Sequence, residues 1–152
     1  MKAYREVKLV YTGEMVEAGK PINDHKAAAR GIKSHIGDSP KEVFVSLLLD
    51  SRNCVISLDT ISIGSQNASL VHPREVFRTA LKEGACSIII AHNHPSGNPR
   101  PSREDLEVTK RLINAGCLIG IPIKDHLVIG STKTVSIRLK SSSRSMVADK
   151  SK

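Results

Sequence analysis

The sequence predicts an α/β fold: one domain in which a mixed β-sheet is flanked by helices. Strand-like and helix-like segments follow one another in the order β-α-β-β-α-β-α-β-β, which builds a sheet with helices packed on it rather than a bundle or a sandwich. One strand-like run, "ACSIIIAH", is apolar on both faces and needs cover on both sides. The 152 residues suffice for one hydrophobic core and are too few for two ordinary ones. The domain is expected over 1–140, with 141–152 a disordered basic tail rich in Ser and Lys.

Each element follows from local chemistry. "YREVKLVYTG" alternates enough for an N-terminal strand ending at Gly13. "NDHKAAARGIKSHIG" carries Asn23 or Asp24 as a cap and stops at Gly37, the pattern of a helix. "EVFVSLLLDSRNCVISLDTISIG" makes two strands around the turn Asp50-Ser51-Arg52-Asn53, where Asp and Asn suit turn positions. "SQNASLV" joins this hairpin to "HPREVFRTALKEG", a helix with Pro73 near its first position and Gly84 just past its end. "ACSIIIAH" is too short and too β-branched for a helix and is placed as the central strand. "SREDLEVTKRLINAG" predicts a helix from Ser102 to Gly116, and "GIPIKDHLVIGSTKTVSIRL" closes the fold with two or three strands.

The formal charge of +8 favours anionic partners, nucleic acid among them, because clustered Lys and Arg release counterions from phosphate. Much of that excess sits in the final stretch, and aromatics, at 3%, are too scarce for the stacking platforms of a single-strand binder. No apolar run approaches the roughly 20 residues that span a bilayer, and the start lacks the apolar core of a signal peptide. A cytoplasmic protein without membrane association is expected. Cys54, Cys86 and Cys117 form no CxxC pair and read as buried thiols. Edge strands leave the oligomeric state open.

The chemistry concentrates in "SIIIAHNHPSGNPRPSREDLEVTKRL". In an extended segment His92 and His94 point the same way from the carboxyl end of the central strand, so two imidazoles can grip one metal ion. A third ligand must come from elsewhere. The loop "PSGNPRP" is stiff enough to fold back and set Asp105, at the start of the next helix, beside them. Two nitrogens and one carboxylate oxygen would leave tetrahedral zinc one open position, the arrangement of catalytic rather than structural sites. Glu104 is the rival carboxylate, but one residue turns the helix by about 100°, and Asp105 is preferred. Ser102 and Asp105 also form an S-x-x-D capping box, worth about 1 kcal/mol to the helix. Capping alone would not require two histidines at the mouth of a buried strand. His25, His35, His72 and His126 lack partner spacing and are assigned no metal; Asp125-His126 could reach the site through the fold, but a surface position is preferred.

Together these residues resemble a known motif. "HNHPSGNPRPSRED" is similar to H-x-H-P-x6-S-x2-D of the JAMM (MPN+ or JAB) metallopeptidases, with His92, His94, Pro95, Ser102 and Asp105 at that spacing. The context "SLVHPREVFRTALKEGACSIIIAHNHPSGNP" resembles the bacterial RadC family, historically labelled DNA repair proteins, over approximately residues 4–140. The resemblance implies a cytidine-deaminase-like, MPN-type α/β fold and a zinc-dependent hydrolase acting on a peptide or protein substrate at an amide or isopeptide bond. Typical RadC proteins add an N-terminal helical region; a short form without it is expected here, which weakens any DNA-binding role taken from the label.

The resemblance further implies an upstream glutamate on a strand beside the site, and Glu42 in "KEVFVSLLLD" fills that position. At the edge of a low-dielectric site its pKa would rise toward that of a useful general base. Zinc on His92, His94 and Asp105 would lower the pKa of bound water to about 7. Glu42 would take its proton and later deliver it to the departing amine, and Ser102 would donate a hydrogen bond to the oxyanion.

Overall fold

The structure, a computed structural model, describes residues 21–64 and 71–137. Its elements are α1 (His25–Ile36), β1 (Val43–Leu49), β2 (Val55–Ile63), α2 (Pro73–Lys82), β3 (Ser87–Asn93), α3 (Arg103–Ile119), β4 (Ile123–Ile129) and β5 (Thr134–Ser136). The expected first strand at 4–13, most of the linker, the basic tail and the outer bounds of the domain lie outside the described residues.

Five strands form one sheet in the order β2-β1-β3-β4-β5. β3 and β4 run parallel, joined through α3, while the other neighbours are antiparallel. The sheet is therefore mixed, as expected, and β3 is its central strand.

Strand parity sorts the core into two layers. Phe44 and Leu48 of β1 and Ile88 and Ile90 of β3 pack with Val76 and Phe77 of α2 and Val108 and Leu112 of α3. Val45, Leu47, Ile89, Ala91, Leu127 and Ile129 point the other way, against Ala28, Ile32 and Ile36 of α1. All seven residues of β1 and of β3 are buried, the result of cover on both faces.

The caps follow the local chemistry. Asp24 Oδ1 accepts from Ala27 N at 2.7 Å, and Gly37 ends α1 at φ 60°. In the hairpin turn Asp50 Oδ1 accepts from Arg52 N and Cys54 N, and Asn53 takes the left-handed φ of 61° that Asn tolerates.

Three expectations are corrected. α3 does not stop at Gly116 but runs on to Ile119, and Gly120, at φ 87°, ends it. Gly116 is glycine for another reason: a Cβ there would sit 2.5 Å from the Ile121 carbonyl oxygen and 3.2 Å from Phe77. A residue that looks like a helix stop is a close-packing point, where returning chain crosses the helix. Among the cysteines only Cys54 is buried; Cys86 precedes β3 in a turn and Cys117 lies on the outer side of α3, both exposed. His126, expected at the surface, is fully buried on β4.

Candidate metal centre

His92, two residues past Ile90, shares the sheet face that packs on α3 and is fully buried. His94 lies one pleat further, just beyond β3, and its N–H donates to Ile129 O at 2.9 Å, extending the contact with β4. The loop 95–101 is pinned from both sides: Gly97 N donates to His94 O at 2.8 Å, and Ser131 N donates to Gly97 O at 3.0 Å. The chain then enters α3 through the capping box. Ser102 Oγ accepts from Asp105 N at 3.1 Å, and Asp105 Oδ2 accepts from Ser102 N at 2.8 Å.

This fold-back brings three side chains together. His92 Nε2 lies 3.1 Å from Asp105 Oδ1, His94 Nε2 lies 3.2 Å from Asp105 Oδ2, and the two Nε2 atoms are 3.0 Å apart. Among the described residues His92, His94 and Asp105 are the His, Cys, Asp or Glu group whose ligand atoms converge, all within 4.8 Å of one another. Glu104 is exposed on the outer side of the same turn and does not join them.

The donor chemistry fits a cation. His94 Nδ1 sits 2.8 Å from Asn98 O, which can only accept, so the neutral ring carries its hydrogen there and turns a bare Nε2 toward Asp105. That lone pair meets a carboxylate and a second imidazole nitrogen. Atoms that all accept repel one another unless a proton or a metal ion lies between them.

The loop's close fit has a measurable consequence. A Cβ on Gly130 would lie 2.5 Å from Gly97 O, 2.9 Å from Pro99 Cδ and 3.0 Å from Lys133 O. Two of those neighbours are backbone and cannot swing aside. Gly130→Ala is expected to cost about 1–3 kcal/mol as an overpacking change, read from chemical denaturation, and to weaken metal binding by displacing the loop between His94 and Ser102. Unchanged stability would show that the loop yields freely.

Electrostatics keep Asp105 ionised. Burial works to raise its pKa, but a proton standing between it and His92 in place of a metal ion, through its hydrogen bond and charge, and the hydrogen bonds with Ser102 outweigh it, holding the carboxyl well below the usual range. Glu42 shows the opposite balance. Burial raises it above the ordinary glutamate value, the His92 charge opposes this, and the Asp105 charge adds to it.

Register explains why Glu42 is there. Phe44 of β1 pairs with His92 of antiparallel β3, so two residues back along one chain is Glu42 and two residues forward along the other is His94. Asn93, between the histidines, locks this arrangement. Its Oδ1 accepts from Val43 N at 2.7 Å, and its Nδ2 donates to Ser39 O and Lys41 O at 3.3 and 3.1 Å. Ser102 is exposed; its oxygen accepts from Asp105 N while its hydroxyl hydrogen stays available.

Two residues near the site escape sequence reasoning. Asn93 is read only as the spacer of H-x-H, and His126 as a surface residue. Instead His126 Nε2 lies 2.9 Å from His92 Nδ1. A signal for both existed: a polar side chain inside a run buried on both faces needs a partner.

Comparison with known proteins identifies the family and its relatives. The family profile described as "RadC-like JAB domain" matches residues 22–142. A UPF0758 protein of Desulforamulus reducens is 50% identical over 151 residues, covering 92% of this chain and 66% of that protein. One of Geobacillus is 48% identical over 133 residues, covering 88% and 57%, and one of Methanosarcina mazei is 52% identical over 101 residues, covering 66% and 44%. The chain thus spans about half to two thirds of the length of these relatives.

Proposed function

The chain belongs to the RadC family of JAB domains, and we propose that it is a zinc-dependent metallopeptidase of the JAMM type, cleaving an amide or isopeptide bond in a peptide or protein. One observation carries this reading: His92 Nε2, His94 Nε2 and the Asp105 carboxylate converge at the carboxyl end of the central strand. Three protein ligands are the number that catalytic zinc sites use.

When bound, such a cation supplies Lewis acidity, acidifying water and polarising a carbonyl. The chain's own residues do the rest. The Glu42 carboxylate, half-buried beside the site, accepts a proton from water and returns it to the departing amine. Ser102 donates its hydroxyl hydrogen to the developing oxyanion while its lone pair continues to cap α3. Asp105, held ionised, keeps its charge for the cation.

No helix among the described residues is long and apolar enough to cross a membrane. Protein purified without added metal is expected to hold about one equivalent of zinc per chain, and its hydrolysis of peptide or isopeptide substrates should disappear with a chelator and return with zinc. Protein that takes up no zinc, or hydrolyses in excess chelator, overturns the reading. The charge of +8 supports nucleic-acid association as a second reading; duplex binding that falls steeply with salt and ignores chelator would favour it.

A further inference from the structure

Behind the candidate ligands lies a buried chain of hydrogen bonds whose directions can be assigned from its far end. Thr109 Oγ1 is 2.5 Å from the Asp105 carbonyl oxygen, one turn back along α3. That oxygen can only accept, so the threonine hydroxyl gives its single hydrogen there. The same Oγ1 is 2.6 Å from His126 Nδ1 and, its hydrogen spent, must accept from it. His126 is fully buried, and a ring with a single hydrogen must hold it on Nδ1 to meet that acceptor, which leaves Nε2 bare. Bare Nε2 lies 2.9 Å from His92 Nδ1 and accepts from it. His92 therefore carries a hydrogen on Nδ1, and its other nitrogen, Nε2, is the one directed at His94 and Asp105.

We propose that Thr109 and His126 are positioning residues for the metal centre: they fix His92 with its hydrogen on Nδ1 and so keep the Nε2 lone pair for a cation. The proposal rests on the metal reading above and adds a supporting layer of residues to it. Phe44 flanks the same rings, stacked on His92 at 5.8 Å and edge-on to His126 at 5.6 Å. The loop is closed: the carbonyl on which the chain ends belongs to Asp105, itself a candidate ligand.

Replacing Thr109 by Val keeps the shape but removes the acceptor for His126 Nδ1–H. His126 then favours hydrogen on Nε2, which meets His92 Nδ1–H head-on, and His92 relieves the clash by moving its hydrogen to Nε2, where it blocks the cation. Loss of such outer partners typically weakens metal affinity about 10–100-fold.

Zinc affinity is measured by competition with a chromogenic chelator, on the whole chain, for the parent, Thr109→Val, Thr109→Ser and His126→Leu. Val and Leu should weaken binding by about 10–100-fold and Ser should restore it, a recovery that a purely space-filling role for Thr109 does not predict. Long-range proton–nitrogen NMR on the parent supplies a second readout independent of binding and of any variant's folding. His126 should show protonated Nδ1 and bare Nε2 in metal-free protein, and zinc-loaded protein should show His92 protonated on Nδ1. Parent-like zinc affinity in Thr109→Val and His126→Leu, or a His126 hydrogen on Nε2, overturns the proposal. A parent chain that binds no zinc instead overturns the metal reading, and the His126 spectrum still reports the hydrogen-bond directions.

Discussion

Replacing His94 by Ala is expected to leave a folded protein that no longer retains zinc and hydrolyses no faster than chelator-treated parent. His94 is only partly buried and lies beyond the last residue of β3, so its removal takes no side chain from either core layer. The folding cost is that of its hydrogen bond to Asn98, roughly 1 kcal/mol. The cost to the centre is far larger, because His92 and Asp105 alone are two ligands where zinc sites use three or four. Calorimetry or metal analysis after dialysis reads the difference. So does melting: saturating zinc should stabilise the parent by about 2.7 kcal/mol at one hundred times Kd, and should leave the variant unmoved. A variant that keeps stoichiometric zinc would show that His94 is not a ligand.

Glu42→Gln should separate binding from turnover. Glu42 is not among the converging ligand atoms, so bound zinc is expected to persist, while loss of the proton acceptor should lower turnover about 10²- to 10⁴-fold. Normal turnover on a validated substrate would remove Glu42 from the mechanism. Its stability effect has a predictable sign. Burial raises the folded-state pKa of Glu42 above its unfolded value, so the ionised carboxylate costs stability. That cost is absent at low pH, where both states are protonated. It grows as pH rises from the ordinary glutamate value through the raised one, and is constant above. Metal-free Glu42→Gln should therefore melt higher than the metal-free parent at neutral pH, with the gap closing in acid. A gap of opposite sign would mean that the His92 charge, which opposes burial, dominates.

Much of the site's placement is legible in the sequence because it follows from short-range rules. The two-residue period of a strand puts His92 and His94 on one face, and a proline-stiffened loop ending in a capping box brings Asp105 back to them. What stays hidden depends on which chains cross. Gly116 resembles a helix stop because nothing in the sequence says that the Ile121 carbonyl will press against it. The run His126–Ile129 is buried throughout, so it has no alternation from which the direction of His126 could be read. Asn93 sits in a strand buried throughout for the same reason, and its three bonds reach segments some fifty residues away in sequence. Glu42 is found through family resemblance rather than local pattern; its position depends on the antiparallel pairing of Phe44 with His92.

The clamp made by Asn93 bears on any attempt to transplant this centre into a designed scaffold. Grafting the two imidazoles and the carboxylate onto another β-α crossover would reproduce the cation's cradle but leave the neighbouring strand in whatever register the host prefers. Here one amide, wedged between the histidines, ties that neighbour at Ser39, Lys41 and Val43. The smallest portable unit is thus a pair of antiparallel strands with their shared amide, not a tripeptide and a helix cap.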